Sequence, residues 1–531
     1  MAKESRKVYD YDPDRVRETL VKSFQSRGMM ATIADLAGLT GLPLNQIKAE
    51  LPAVVDEYDG RLKVTDSGEI LYSFPRGMRS QYKGLGPTLK KLWKSIKKGA
   101  LAAFKLGFKI WIMLMLVGYF VIFIVLLLVA MAVSMGGSIG GGSSDHRDSH
   151  GSSSGRSVGI GGIYLTSRLF DSFVRLWFYS ELFRQPQPQR GGYGRPYGSP
   201  YGSDSALSEV KPRKPLYKSI YSFVFGDGDP NAHWDEIEKK SVLAFLQSHK
   251  GIITMPEFIA ITGLKPDEAE HAINRYLLEF EGSPEVTDNG VIYYSFPNLL
   301  TRVNRTPEVD GSTIALKKLG RFSSNEPKLN KIFNWINVFN LAFGGYYLYN
   351  AFSVGNAFYS VTVDGIALRG GLSYLYSTTA YLLKSFGVAN PASGIAWGLG
   401  FVPLVFSVLF WIIPAVRSGR LKAQNETIKF ENLRRIVARK VASAKTWFKP
   451  KEVQVSIEEA KPADPNAVDK IAEELAAWSN AEVSEDGYLF KEIILTQDEA
   501  EKLRAKTDLE KFAPGKTVFD TDAQNYGVEG S

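Results

Sequence analysis

Oxygen-bearing side chains around residue 230 stand at the spacing of a calcium-binding loop. The residues at positions one, three, five and twelve of that pattern are Asp227, Asp229, Asn231 and Glu238. Carboxylate and carboxamide oxygens are the ligands that Ca²⁺ prefers in proteins. However, Ala232 stands where such a loop turns on glycine, and the Asp229-Pro230 pair is typical of the start of a helix. The pattern therefore predicts a helix start at Pro230 rather than a metal site.

Other residue types that carry out chemistry are scattered along the chain. Its 531 residues include no cysteine, which excludes disulfides, thiolate zinc sites and thiol nucleophiles. His146 and His150 lie in a Gly/Ser-rich stretch, and His233, His249 and His271 lack a serine or carboxylate at catalytic spacing. We therefore expect no catalytic residue, no cofactor, no bound metal and no enzymatic activity.

Three asparagines recur at every third position of the uncharged segment from Ile332 to Val354. Asn334, Asn337 and Asn340 therefore share one face of a predicted helix. Carboxamides on such a face can hydrogen-bond a neighbouring helix or line a polar path. Helix packing is the favoured interpretation, because transport paths usually need a charged residue and the segment has none.

Long uncharged stretches predict membrane-spanning helices. A helix needs about 20 apolar residues to cross the hydrocarbon layer. The stretches of that length run from Ile110 to Val133, from Ile332 to Val354 and from Ile395 to Val416. A fourth segment, Ile163 to Phe183, carries three charges along one helical stripe. It is predicted either to lie in the interface or to span with that stripe against protein.

Basic residues flank these stretches and predict their orientation. Residues 76–109 contain ten lysines and arginines and no acid, and residues 417–451 contain eleven against two acids. Positive charge stays on the cytoplasmic side of a membrane, so we expect both termini on the cytoplasmic or stromal side. The first block also surrounds an apolar helical face, which predicts contact with anionic lipid; a topology signal alone is the alternative. The predicted membrane-surface residues are Lys90, Lys91, Trp93, Lys94, Lys97 and Lys98.

An internal repeat joins two distant parts of the chain. The twelve residues Val64 to Pro75 recur 222 residues later as Val286 to Pro297, with nine identities. Each copy predicts three helices and then a hairpin, whose turn is Asp66-Ser67-Gly68 in the first and Asp288-Asn289-Gly290 in the second. This order resembles that of a winged-helix domain, so we expect an α+β chain in which helical transmembrane segments are combined with two winged-helix-like domains.

Charge argues against nucleic acid as the partner of these repeats. Phosphate binding needs lysine and arginine on the docking face. Residues 28–75 instead have a net charge of −4, and residues 251–297 have a net charge of −6. A protein partner is therefore the better interpretation.

Composition and patterning divide the chain into ten segments. These are 1–78, winged-helix-like repeat 1; 79–109, a basic amphipathic juxtamembrane helix; 110–135, a transmembrane helix; 136–162, a Gly/Ser-rich loop; 163–183, an amphipathic or transmembrane helix; 184–215, a disordered linker; 216–300, winged-helix-like repeat 2; 301–331, a linker; 332–416, a transmembrane hairpin region; and 417–531, a cytoplasmic helical tail. The tail holds a partial third repeat or an ordinary hairpin at Val483 to Phe490.

The hairpin motif, the stretch from Ser222 to Asn231 and the membrane segments resemble an uncharacterised family of cyanobacterial and chloroplast polytopic membrane proteins. The resemblance implies a photosynthetic membrane system. Plant members are sometimes labelled as iron–sulfur biosynthesis proteins, but a chain without cysteine gives no support to cluster ligation.

These features predict a membrane-anchored scaffold or adaptor whose partners are membrane lipid and an unidentified protein. The two acidic repeats would bind one partner together or pair with each other, and a homo-oligomer is a further alternative. A component of a transporter or channel is the main alternative function, and a membrane-tethered nucleic-acid-binding regulator is the second.

Overall fold

The computed structural model describes residues 11–27, 30–75, 77–78, 85–134, 214–303, 315–357, 373–485, 487–513 and 515–521. The fold is a mixture of helices and sheets, which confirms the coarse prediction of an α+β chain. By compactness it forms two units. Unit 1 comprises the described residues up to Leu92, Asp229–Gly320 and those from Lys422 onward, and unit 2 comprises Trp93–Gly228 and Arg321–Leu421. The segment Ile163 to Phe183 lies outside the described residues.

The α-helices are, in chain order, α1 (Pro13–Arg27), α2 (Ile33–Thr40), α3 (Leu44–Glu57), α4 (Leu85–Met113), α5 (Tyr119–Ser134), α6 (Leu216–Phe225), α7 (Trp234–Ser248), α8 (Met255–Thr262), α9 (Pro266–Glu279), α10 (Pro327–Ser353), α11 (Tyr374–Ser385), α12 (Pro391–Ile395), α13 (Val402–Ser443), α14 (Ala467–Trp478) and α15 (Lys491–Lys506). The strands are β1 (Met30–Ala31), β2 (Arg61–Thr65), β3 (Ile70–Ser73), β4 (Ile252–Ile253), β5 (Ser283–Val286), β6 (Ile292–Ser295), β7 (Glu482–Ser484), β8 (Gly487–Leu489) and β9 (Thr517–Asp520).

The two copies of the repeat, which we call module 1 (residues 13–74) and module 2 (residues 234–296), have the same order of elements. Each is helix, short strand, helix, helix and hairpin, and the short strand pairs antiparallel with the second hairpin strand. The middle helix of each begins at a capping box, Thr32 with Asp35 and Thr254 with Glu257. It ends at a left-handed glycine, Gly41 or Gly263, a conformation that glycine adopts without a steric penalty.

The first helix of module 2 begins four residues later than predicted, at Trp234 rather than Pro230. Asp229 Oδ1 accepts a hydrogen bond from the backbone N–H of Asn231 at 2.8 Å. This local bond holds residues 230–233 in a turn, because a short acidic side chain competes with the helix for backbone donors.

A third set of elements in unit 1, which we call module 3 (residues 422–490), follows the same plan. Val441 in α13 and Phe448 are seven residues apart, as are Leu246 and Ile253 in module 2, and all four side chains are buried. Phe448 pairs with Tyr488 of β8, in the place of the short strand.

The middle helix of module 3 is reduced to a 3₁₀ turn, Pro450–Glu452. Its last helix, α14, is followed by Asn480 at φ 48°, as α3 is followed by Asp59 at 52° and α9 by Glu281 at 54°. The hairpin β7–β8 comes next, so module 3 shares the helix, turn and hairpin geometry of the other two modules.

The modules contact one another in a head-to-tail order. A Cβ at Gly41 of module 1 would lie 3.6 Å from the carbonyl oxygen of Glu236 in α7, the first helix of module 2. A Cβ at Gly263 of module 2 would lie 2.6 Å from the carbonyl oxygen of Glu431 in α13, the first helix of module 3. Each glycine turn therefore packs on the first helix of the next module. The contacted residues, Glu236 and Glu431, lie 195 residues apart in the sequence.

Unit 2 contains the most apolar helices. Helix α4 continues through a π-helical turn, Leu114–Gly118, into α5, and α12 continues through a second π turn, Ala396–Phe401, into α13. Aromatic rings fill the interior between them: the ring of Phe123 stacks on those of Phe343 and Tyr347 at centroid distances of 5.5 and 5.7 Å.

Two helical stretches in the described residues, Gly99–Met131 and Pro391–Ser443, are long and apolar enough to cross a membrane. They overlap the predicted spans at Ile110 to Val133 and Ile395 to Val416. The third predicted span coincides with α10, which is not among them because its asparagines lower its hydropathy.

The close approach at Gly263 predicts a specific loss of stability in Gly263→Ala. Gly290 has a similar φ of 77° but open space around it, so Gly290→Ala carries only the backbone penalty of about 1 kcal/mol. Gly263→Ala adds a collision with the Glu431 carbonyl, and we expect a total loss of about 3 kcal/mol. Urea unfolding of the full chain in detergent measures both variants. Equal losses would show that the modules are not in contact at this turn.

Candidate functional site

The predicted asparagine face is divided between the surface and the interior of unit 2. Asn334 is exposed, whereas Asn337 and Asn340 are fully buried. The Nδ2 of Asn337 donates to the carbonyl oxygen of Ser407 at 2.9 Å, and that of Asn340 donates to the carbonyl oxygen of Leu116 at 2.7 Å. Two of the three residues therefore join α10 to its neighbouring helices.

The partner of Asn340 lies in a π turn. A π turn displaces the regular backbone hydrogen bonds, so its carbonyl oxygens are open to side-chain donors. Leu116 belongs to the first π turn, and Gly398, in the second, accepts a hydrogen bond from the hydroxyl of Tyr119 at 2.9 Å. Each π turn is therefore bound by a polar side chain from another helix. The spacing of the asparagines indicates a polar helix face, but nothing in the sequence indicates the π turn that Asn340 binds.

Some polar atoms near this contact lack partners among the described residues. They are Asn337 Oδ1, Asn340 Oδ1 and Ser407 Oγ. All three side chains are buried. They are neutral, and so they supply hydrogen-bonding oxygens without a fixed charge.

The predicted membrane-surface residues fall within α4. Lys90, Lys91, Trp93, Lys94, Lys97 and Lys98 are all helical there, but their side chains lie outside the described part of the chain. The same helix continues with exposed apolar side chains, including Leu101 at 55% and Phe104 at 73% exposure. The prediction of lipid contact stays a prediction.

The calcium-loop residues have other partners. Asp227 accepts hydrogen bonds from Lys214 Nζ at 2.6 Å, from Ser222 Oγ at 2.8 Å and from the backbone N–H of Ser324 at 2.7 Å. Burial would raise the pKa of Asp227, but these donors outweigh burial and hold that pKa well below its ordinary value. Asp227 therefore stays ionised and joins α6 to the segment before α10.

Asn231 and Glu238 are also engaged, both within unit 1. The carboxamide of Asn231 pairs in both directions with the backbone of Lys318, at 2.8 and 2.9 Å. Glu238 accepts a hydrogen bond from Trp234 Nε1 at 2.9 Å and lies 3.6 Å from the guanidinium of Arg435. Burial raises the pKa of Glu238 in spite of these partners. No group of three or more histidine, aspartate or glutamate residues in the described ranges is arranged to hold a metal.

The histidines have local contacts. His249 stacks on Phe245 at a centroid distance of 3.8 Å, and burial lowers the pKa of its imidazole. His233 and His271 are exposed. His146 and His150 lie outside the described residues.

Two arginines that the sequence assigned to a basic membrane flank are instead buried between modules 2 and 3. Arg435 donates to the carbonyl oxygens of Ile261, at 3.1 Å, and Thr262. Arg434 donates to that of Gly263 at 3.1 Å and pairs with Glu474. The last carbonyls of a helix carry a partial negative charge that favours cations. The Thr-Gly-Leu turn in both repeats is the sequence feature that marks this contact.

A second arginine contact joins module 1 to the segment after the module 2 hairpin, and module 2 to the segment after the module 3 hairpin. Asp35, at the capping box of α2, pairs with Arg302 at 3.4 Å, and Glu257, at the capping box of α8, pairs with Arg504 at 2.6 Å. Arg302 follows the hairpin of module 2, and Arg504 follows that of module 3. The module order is therefore fixed at two independent places.

Module 2 also presents an acidic and apolar surface. We define the module 2 surface by Asp267 at the start of α9 and by Val286, Asp288 and Ile292 on the hairpin. All four are exposed, Val286 at 64% and Ile292 at 56%. Val286 and Ile292 are directly opposite in the hairpin, so they form one apolar patch on the same face.

The chain is similar to an uncharacterized chloroplastic protein of Arabidopsis thaliana. The two are 23% identical over 443 residues, which cover 80% of this chain and 72% of the relative. No family model matches the chain, and no solved structure matches it. The similarity is consistent with the resemblance of the sequence to chloroplast members of an uncharacterised membrane-protein family. The relative's description names no activity.

The buried asparagine contact predicts a modest structural role for Asn340. Asn340→Leu removes its bond to the Leu116 carbonyl, and we expect a loss of about 1 kcal/mol, since interhelical hydrogen bonds in membranes are individually weak. The exposed Asn334→Leu is the matched control and should stay within about 0.5 kcal/mol of the wild type. Thermal unfolding in detergent compares the two. An effect of Asn334→Leu as large as that of Asn340→Leu would contradict the packing interpretation.

Proposed function

We propose that this protein is a membrane-anchored scaffold in which stacked winged-helix-like modules present an acidic surface to a protein partner on the cytoplasmic or stromal side. The stretches Gly99–Met131 and Pro391–Ser443 would supply the anchor. The chloroplastic location of the Arabidopsis relative makes a plastid membrane a reasonable site for this role.

The observation that carries the proposal is the exposure of the module 2 surface. Val286 and Ile292 form an exposed apolar pair on the hairpin, which also carries the exposed acid Asp288, and Asp267 is an exposed acid at the start of α9 of the same module. Aliphatic side chains exposed together on a well-packed module are typical of interaction sites. The flanking acids would select a partner that is basic around an apolar centre.

The contacts between modules favour rigid presentation over two independently tethered modules. Lys48 of α3 pairs with Glu281 of module 2 at 2.6 Å, and Arg15 of α1 pairs with Glu236 of α7 at 2.8 Å. Part of the acidic charge that the sequence assigned to a shared partner is therefore used within the protein. The modules would act together as one clamp, and a rigid surface binds with less loss of conformational entropy.

A second candidate function, a component of a transporter, is favoured by the buried oxygens in unit 2. Asn337 Oδ1, Asn340 Oδ1 and Ser407 Oγ could line a polar path, since they are unpaired among the described residues. Ion flux into liposomes that contain the purified protein, lost in Asn337→Val, would support this candidate over the scaffold.

Affinity capture from solubilised membranes tests the scaffold directly. The wild-type chain should recover one protein at a constant stoichiometry. Asp267→Lys reverses an exposed charge on the module 2 surface and should lower that recovery about fivefold, because such a charge contributes about 1 kcal/mol.

Glu492→Lys is the matched control for this capture. It also reverses an exposed acid in the first turn of a helix, but on α15, so it should recover the partner like the wild type. Equal recovery by both variants, or no stoichiometric partner at all, would rule out the proposed surface.

A further inference from the structure

The outer edge of the module 1 hairpin is occupied by the protein's own tail. Strand β9 pairs antiparallel with β2, and the sheet order is β1-β3-β2-β9. The backbone N–H of Asp66 donates to the carbonyl oxygen of Lys516 at 2.9 Å, and the N–H of Lys516 donates to Asp66 Oδ1 at 3.0 Å. At the other end, the backbone N–H of Thr521 donates to the carbonyl oxygen of Leu62 at 3.3 Å. Residues 62, 64 and 66 thus form the docking edge.

Side chains add selectivity to this pairing. Lys63 and Asp520 are opposite each other and form an ion pair at 2.8 Å. Phe519 is opposite Val64, which is half-buried. Gly515, two residues before β9, has a φ of 67°, and a Cβ there would lie 1.7 Å from Asp66 Oδ1, so glycine is favoured at this position.

The corresponding edge of module 2 has no paired strand among the described residues. Its sheet order is β4-β6-β5, which leaves β5 at the edge. The repeat offset of 222 places Val286 where module 1 has Val64 and Asp288 where it has Asp66. Every residue of β5 is exposed, and Val286 is more exposed than the half-buried Val64.

Two sequence differences between β2 and β5 indicate that a strand added to β5 should differ from β9. Glu285 replaces Lys63, so the residue of the added strand that faces it should be basic, where β9 has Asp520. Pro284 replaces Leu62 and has no backbone N–H, so the pairing should be short and end at Val286. These differences also account for the docking of β9 on module 1.

We propose that β5 of module 2 binds an extended segment of the protein partner by strand addition, with the pattern Gly-Lys-Thr-Val-Phe followed by lysine or arginine. Backbone hydrogen bonds to Val286 and Asp288 supply the affinity, and the aromatic side chain covers Val286 and Ile292. The basic residue pairs with Glu285. This inference rests on the proposed docking role of module 2 and names the chemistry of its partner.

Labelled peptides and the full chain in detergent test the inference by fluorescence anisotropy. The peptide Gly-Lys-Thr-Val-Phe-Lys-Thr should bind the wild type about fivefold more tightly than Gly-Lys-Thr-Val-Phe-Asp-Thr, the sequence of residues 515–521. Glu285→Lys should reverse this preference, whereas Lys63→Glu in module 1 should not. Pro284→Leu restores an edge donor and should strengthen the binding of both peptides about threefold.

The same lysine peptide with an N-methylated Val-Phe bond keeps the side chains and removes a backbone donor, and it should bind at least tenfold more weakly. No saturable binding, or a preference that Glu285→Lys leaves unchanged, would overturn strand addition. Such a result, together with a wild-type capture that Asp267→Lys weakens, would reject this binding mode and leave the scaffold standing. Failure of the wild-type chain to recover any stoichiometric partner would reject the scaffold itself.

Discussion

The guanidinium of Arg435 is fully buried and donates to the carbonyl oxygens of Ile261 and Thr262, where α8 ends. Burying a charge costs several kcal/mol unless its partners replace the lost water. Here the partners are the helix-end carbonyls, Asn432 Oδ1 at 3.0 Å, the carboxylate of Glu238 at 3.6 Å and the face of Trp234 at 4.9 Å. The same helix end would have unsatisfied carbonyls without the arginine. Modules 2 and 3 are therefore each incomplete without the other at this contact.

This contact is part of a pattern that recurs from module 1 to module 2 and from module 2 to module 3. Modules 1 and 2 each pack a glycine turn on the next module, and each pairs with an arginine that follows the next hairpin, Asp35 with Arg302 and Glu257 with Arg504. Stacking of this kind buries surface only between neighbours. The first hairpin strand of each of modules 1 and 2 has one side that its own module does not pair. In module 1 this strand, β2, pairs with β9, whereas in module 2 the corresponding strand, β5, has no further strand beside it among the described residues. The proposed docking surface is a consequence of that arrangement.

Local sequence signals predicted the parts of this architecture that local chemistry determines. The Asp66-Ser67-Gly68 and Asp288-Asn289-Gly290 turns, the helix-ending glycines and the hairpins are readable because turns and caps need particular residues. Their spacing also placed Asn337 and Asn340 on one helix face, from which both donate hydrogen bonds to backbone carbonyls of neighbouring helices. The late start of α7 was not predicted, because the turn at Asp229 competes with a helix start that uses the same residues.

Long-range contacts could not be read in the same way. Arg434 and Arg435 look like a membrane-flanking charge cluster until their partners at Ile261 to Gly263 are known. Module 3 is hard to recognise because a 3₁₀ turn replaces its middle helix and its first helix continues a long apolar one. The pairing of β9 with β2 joins segments some 450 residues apart, and nothing in the four-residue sequence of β9 indicates which strand it pairs with.

Hydrogen exchange of the full-length protein measures the central claim, which is that the modules are stacked through Arg435. Arg435→Met leaves the end of α8 and Glu238 without their partner, a loss of about 3 kcal/mol. The backbone amides of both α8 and α14 should then exchange about a hundredfold faster than in the wild type. Arg439→Met, on the exposed side of the same helix, should leave both at wild-type rates. Faster exchange confined to the residues next to position 435 would contradict the stacked arrangement.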